Sequence, residues 1–167
     1  MKSILACFTM ALLIISCFDP KKNDDLLVVN QPAEFEAQDA IWLIWPSTNH
    51  KEEESVVDVT LSIIEALIDD INIVITGKDK ELLDQARQKV ENRLGKQPGI
   101  MFLEIPSFEI WARDMGPIFV ETNKTTFAIA DFNFNSWGYS DTLDIDTKTE
   151  EMYDVRVAEH FNLPVIS

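Results

Sequence analysis

The sequence predicts one α/β domain. Short, uninterrupted apolar runs alternate with longer stretches whose apolar residues recur at helical spacing, and buried strands alternating with helices define that class. Residues 40–45 and 71–76 are the clearest strands. The first is continuous Ala, Ile, Trp and Leu, and the second is largely β-branched, as strands buried on both faces require. The clearest helices place Val57, Leu61, Ile64 and Ile68, and then Leu83, Ala86, Val90 and Leu94, one turn apart. With 167 residues, 46% of them hydrophobic and 26% charged, the chain can bury a sizeable core, and its composition is not that of a disordered protein.

In chain order, residues 17–31 read as a polar tether carrying Pro20, Lys21, Lys22, Asn23, Asp24 and Asp25, and the folded part is expected to begin near Gln31-Pro32. The strand over 40–45 is closed by Pro46. A helix over 51–69 follows, with Glu52, Glu53 and Glu54 in its first turn, where the helix dipole favours acids. After the strand at 71–76, the second helix runs to Leu94 and ends at Gly95. Residues 100–105 and 117–121 read as strands. A Thr-Asn-Lys turn then returns the chain as a hairpin strand over 125–131. A third helix is expected over 147–162, and residues 163–167 begin a strand that the sequence's end cuts short. No glycine-rich phosphate loop follows any strand, so nothing supports nucleotide binding.

The net charge is −15, from 29 acidic and 14 basic side chains. Such a field repels nucleic acid and anionic headgroups and attracts cations. It serves solubility or a cationic substrate, and charge alone does not choose between them. At the amino terminus, Lys2 precedes an apolar run from Ile4 to Ile15, too short to span a bilayer but suited to a signal-peptide core. Ser16-Cys17 directly after that core resembles the bacterial lipoprotein signal. The resemblance implies a signal peptide over 1–16, a lipid on Cys17, and an exported protein anchored to a membrane of the bacterial envelope. A chance cysteine behind an ordinary signal peptide is the plainer alternative. Cys7 and Cys17 are the two cysteines, so residues 18–167 hold no thiol.

Three stretches could carry chemistry. In residues 107–120, Trp111, Arg113 and Asp114 sit between two strands in a loop held by Gly116-Pro117. An aspartate there could accept a forked pair of hydrogen bonds from a guanidinium, with an indole stacked on the cation's plane. Alternatively, Arg113 and Asp114 tie the loop down and Trp111 belongs to the core. In residues 131–139, Asp131, Asn133 and Asn135 alternate with Phe132 and Phe134 before Trp137-Gly138-Tyr139, which either walls a pocket or packs a turn. In residues 32–46 a strand enters the core, and Glu34, Glu36 and Asp39 read as a solvated edge. His50 and His160 have no histidine or cysteine partner at ligand spacing, so no metal site is read, and no serine lies in a nucleophile elbow.

Together these stretches, Pro32-Ala-Glu-Phe-Glu36 with Trp42-Leu-Ile-Trp-Pro46, Trp111-Ala-Arg-Asp-Met-Gly-Pro117 and Asp131-Phe-Asn-Phe-Asn-Ser-Trp-Gly138, resemble the agmatine deiminases and the related bacterial peptidyl-arginine deiminases. The resemblance covers residues 32–167. It implies a pentein, a propeller of α/β units around a central site, of which this chain would form about two of five. It implies hydrolysis of a guanidinium to a ureido product and ammonia by a cysteine thiolate, with a histidine handling protons and two acids holding the cation. Asp114 falls on the first guanidinium-binding aspartate and Trp111 on the tryptophan lining that pocket. Trp137 belongs to the stretch that contacts substrate. The second aspartate, the histidine and the cysteine fall outside this chain, and no cofactor is implied.

Ser136-Trp137-Gly138 matches the agmatine-type enzymes, whereas enzymes acting on C-terminal peptidyl arginine carry arginines there. The expected partner is therefore a cationic guanidinium compound or an arginine residue. The alternative is an inactive, lipid-anchored remnant that binds cationic ligands.

Overall fold

A computed structural model describes residues 25–47, 53–124, 126–138 and 145–167. The signal with Cys17, most of the tether, His50 and Tyr139 lie outside them. Among the described residues there are seven strands, in two sheets, and five α-helices, and the α/β reading holds.

The first sheet is parallel, with strands in the order β2 (Ala40–Ile44), β3 (Asn72–Gly77) and β4 (Ile100–Glu104). Two crossovers join them, α1 (Glu53–Leu67) and α2 (Lys80–Leu94). Parallel neighbours need connections of this length. The register runs from Ala40 opposite Asn72 to Ile44 opposite Thr76, and from Ile73 opposite Ile100 to Gly77 opposite Glu104.

The period of two divides β3 cleanly. Ile73 and Ile75 pack with Leu61, Ile64, Ala86 and Val90 of α1 and α2, while Val74 joins the opposite core with Ile44 and Leu103. Helix α2 starts three residues before the first apolar position used to find it. The Asp79 carboxylate accepts the Leu82 N–H at 2.8 Å, a side-chain cap that periodicity does not register. Gly95 ends it at φ 73°, a conformation that favours glycine.

The second sheet has the order β1 (Val28–Asn30), β5 (Ile118–Thr122), β6 (Phe127–Ala130) and β7 (Val165–Ile166). β5 and β6 are the expected hairpin, and β7 lies parallel to β6. Strand β1 falls inside the stretch that composition assigned to the tether. Leu26 is buried, Leu27 donates its N–H to Asn123 Oδ1 at 3.1 Å, and Asn123 returns its own N–H to the Leu27 carbonyl at 2.9 Å. The ordered sheet therefore begins before Gln31. A three-residue edge strand with both valines exposed has no burial pattern to read.

The helix expected over 147–162 is two helices, α4 (Ile145–Glu151) and α5 (Tyr153–Phe161), broken at Met152. The groups freed by the break find partners. Arg156 Nη1 donates to the Thr149 carbonyl at 2.7 Å, and Asp154 Oδ1 accepts the Val155 N–H at 2.7 Å. The break lets α5 lie in the core between the sheets, where Tyr153 Oη and Thr76 Oγ1 share a buried hydrogen bond of 2.7 Å. Asn162, left-handed at φ 53°, ends α5 and turns the chain into β7.

Candidate functional site

The chain leaves β4 and reaches Trp111 through a pinned segment. Buried Ser47 donates its hydroxyl to the Phe108 carbonyl at 3.0 Å. One helical turn then follows, α3 (Ala112–Met115), with Asp114 N–H bonded to the Trp111 carbonyl and Gly116 N–H to the Ala112 carbonyl, both at 2.9 Å. Met115 is the apolar anchor, buried among Ile44, Leu103 and Tyr153. Gly116 is obligatory for a steric reason, because a Cβ there would lie 2.1 Å from the Ala112 oxygen.

Burying Met115 turns the rest of the turn outward. Trp111 is 50% exposed, so it is not a core residue. Arg113 and Glu34 form an exposed ion pair that ties the turn to the 32–36 segment, a contact worth about 0–1 kcal/mol. Glu34 is thus a loop tie rather than only a solvated edge. Asp114 is exposed and, among the described residues, its carboxylate has no hydrogen-bond or ion-pair partner. The turn thus offers an unpaired carboxylate and a half-exposed indole three residues apart, a pairing suited to a planar cation.

Trp137 stands on the second stretch. Beyond β6, Asp131 accepts the Asn133 N–H at 2.7 Å and the Ser167 hydroxyl at 3.2 Å. Asn133, Ser136 and Trp137 all have φ near +50°, unusual for side-chain-bearing residues and characteristic of a constrained turn. Ser136 Oγ donates to Thr147 Oγ1 at 3.1 Å, fixing this turn to α4. The Trp137 ring meets Phe134 edge-on, centroids 5.1 Å apart. Trp111 and Asp114 therefore share one turn, while Trp137 is held on its own segment. His160 lies edge-on to Phe161 at 4.9 Å.

Two buried acids escaped the sequence reading. Glu150 of α4 accepts the Phe108 N–H at 2.7 Å, the Ser107 hydroxyl at 2.8 Å and the Glu109 N–H at 3.3 Å. Burial pushes its carboxyl up from the ordinary range, and these hydrogen bonds pull it partly back. Asp154 is pushed up to about 6, first by burial and then by the negative charge of Asp131. Glu150 is placed at helical spacing from Tyr153 and Val157. A carboxylate on that apolar stripe was the signal available.

The family described as Porphyromonas-type peptidyl-arginine deiminase matches residues 30–166 of this sequence. The chain belongs to that family. Among curated relatives, a protein named "Putative agmatine deiminase" from Shewanella frigidimarina is 31% identical over 111 residues, 65% of this chain and 28% of that protein. The agmatine deiminase of Pseudomonas putida is 27% identical over 114 residues, 65% of this chain and 29% of its own. The solved agmatine deiminase of Enterococcus faecalis superposes with a TM-score of 0.68 at 21% identity, covering 87% of this chain and 38% of that one. That likeness shows the shared α/β fold. The chain spans less than two fifths of the length of each of these relatives.

Proposed function

We propose that this chain supplies the guanidinium-holding part of a deiminase that converts agmatine or a related arginine derivative to a ureido product and ammonia. The observation that carries the reading is the Asp114 carboxylate, unpartnered among the described residues, on the same turn as half-exposed Trp111, inside the family-matched region. Asp114 would accept two N–H groups of the guanidinium and Trp111 would cover its face, fixing plane and charge before attack. The attacking thiolate, its histidine and the second acid would come from the part of the relatives' length that this chain does not span. Residues 18–167 contain no cysteine. The arrangement fits a pentein ring in which this chain forms about two of five units.

Agmatine is favoured over C-terminal peptidyl arginine because Ser136-Trp137-Gly138 offers no cation for a substrate carboxylate, and a dication suits a chain of net charge −15. Cys17 would carry the lipid that holds the protein to a membrane. Loss of membrane association in Cys17→Ser tests that part, and unchanged association refutes it.

Binding without turnover by this chain alone is the second reading, because residues 18–167 contain no cysteine. Two measurements separate these possibilities. Equilibrium titration with agmatine should show binding that Asp114→Ala weakens roughly 5–30-fold, the loss of one exposed charge-assisted contact. Equal affinity of the variant would refute the site. Ammonia release from agmatine is expected to be nil for this chain alone, and turnover by it would refute the assignment of the nucleophile to other residues.

A further inference from the structure

We infer that Glu150 is a positioning residue for the guanidinium-holding turn: from α4 it clamps residues 107–109 and so sets where Trp111 and Asp114 stand. This rests on the guanidinium reading proposed above. The clamp acts on backbone as well as side chain. The carboxylate takes the N–H groups of Phe108 and Glu109 and the hydroxyl of Ser107, at 2.7, 3.3 and 2.8 Å. Ser47 holds the Phe108 carbonyl from the other side at 3.0 Å. Glu150, Ser107 and Ser47 are each no more than 3% exposed, and losing the Glu150 carboxylate takes the acceptor from the half-buried Phe108 and Glu109 amides. Trp111 lies two residues beyond Glu109, and the intervening backbone is itself tied by the Ala112 N–H to the Ile110 carbonyl at 2.9 Å. Little slack separates the clamp from the turn.

The hydrogen bonding also explains which substitution should preserve the clamp. The Ser107 hydroxyl has one proton and two acceptors at 2.8 Å, Glu150 Oε2 and the Glu109 carbonyl. Glu150 Oε2 and the Glu109 carbonyl therefore share that one proton. A glutamine in place of Glu150 can hold the same three groups, its amide donating to Ser107 Oγ, which then gives its proton to the Glu109 carbonyl, while its oxygen accepts from Phe108 and Glu109. Alanine can do neither.

The test is agmatine affinity of the full chain, followed by NMR titration, together with amide hydrogen exchange at Phe108 and Glu109. Glu150→Ala should weaken agmatine roughly tenfold and speed exchange at both amides, whereas Glu150→Gln should stay within about twofold of wild type. Val90→Ala, a cavity in the core beneath α2 on the other face of the parallel sheet, controls for general destabilisation and should leave affinity within about twofold. Should Glu150→Ala fail to fold, Ser107→Ala decides, with an expected loss of about threefold. Affinity unchanged in a folded Glu150→Ala, or unchanged in Ser107→Ala where that variant decides, overturns the inference. So does a Val90→Ala loss matching that of the deciding variant, or a Glu150→Gln loss matching that of Glu150→Ala. Asp114→Ala separates the two levels. If it does not weaken binding, or wild type does not bind, the guanidinium reading fails and this inference with it; if Asp114→Ala weakens binding and the clamp variants do not, only the clamp fails.

Discussion

Replacing Gly116 with alanine puts a methyl where no methyl fits. Its Cβ would stand 2.1 Å from the Ala112 oxygen and 3.2 Å from the Ala112 carbon, whereas Cβ atoms in proteins essentially never come within 3.0 Å of a neighbouring heavy atom. That oxygen cannot swing away freely, because it accepts the Gly116 N–H at 2.9 Å and closes α3. Pro117 removes the other escape by holding residue 116 in an extended conformation, observed at φ −71°, ψ 166°. Relief therefore requires opening the turn, which loses a hydrogen bond of about 1 kcal/mol and loosens Met115 in the core at a further 1–3 kcal/mol. The expected cost is about 2–4 kcal/mol, or about 5–15 °C in melting temperature for a chain of this size. Denaturant unfolding followed by tryptophan fluorescence measures it, and agmatine affinity should fall in the same variant. Gly116→Ala with unchanged stability would refute the account of how the turn is built.

Three further outcomes follow from the same geometry. Burial and the Asp131 charge raise the Asp154 carboxyl from its ordinary 3.8 to about 6 on folding, so the folded state holds its proton more tightly than the unfolded chain does. The stability this contributes is present below about pH 4 and lost as pH climbs through 6; Asp154→Asn should therefore gain about 1–2 kcal/mol over wild type at pH 8 and visibly less at pH 5. A gain that does not change with pH would contradict the burial and the Asp131 repulsion assigned to it. Tyr153→Phe removes the partner of the buried Thr76 hydroxyl and should cost about 1–2 kcal/mol by denaturant unfolding, with agmatine affinity unaltered. Asp79→Ala should cost about 1 kcal/mol and fray the first turn of α2, read as faster exchange of the Leu82 amide.

The parallel sheet was legible because its central strand β3 is buried on both faces and β2 is a continuous apolar run, and because Gly95 marks where α2 ends. The turn at 111–116 was legible as a loop with binding-type residues. What its sequence does not show is that Arg113 reaches Glu34, far away in sequence, while the Asp114 carboxylate has no partner among the described residues. Strand β1 escaped because it is short, exposed and held by backbone pairing with β5 and by Asn123, neither of which leaves a periodic trace. The break at Met152 was hidden by unbroken helical spacing across it. Glu150 escaped for a related reason. Its partners, two backbone amides and the Ser107 hydroxyl, lie some forty residues earlier, and its place on the apolar stripe marks it as buried without showing the loop it holds.

The central claim, that the Trp111–Asp114 turn holds a guanidinium, is tested most directly by mapping agmatine onto the amide and indole resonances of the chain beside a matched alkyl diamine that lacks the guanidinium. The account predicts agmatine-dependent shifts at the Trp111 indole N–H and the Asp114 and Met115 amides, abolished in Asp114→Ala and absent with the diamine. Equal shifts with both compounds, or shifts confined to other acidic surfaces, would contradict it.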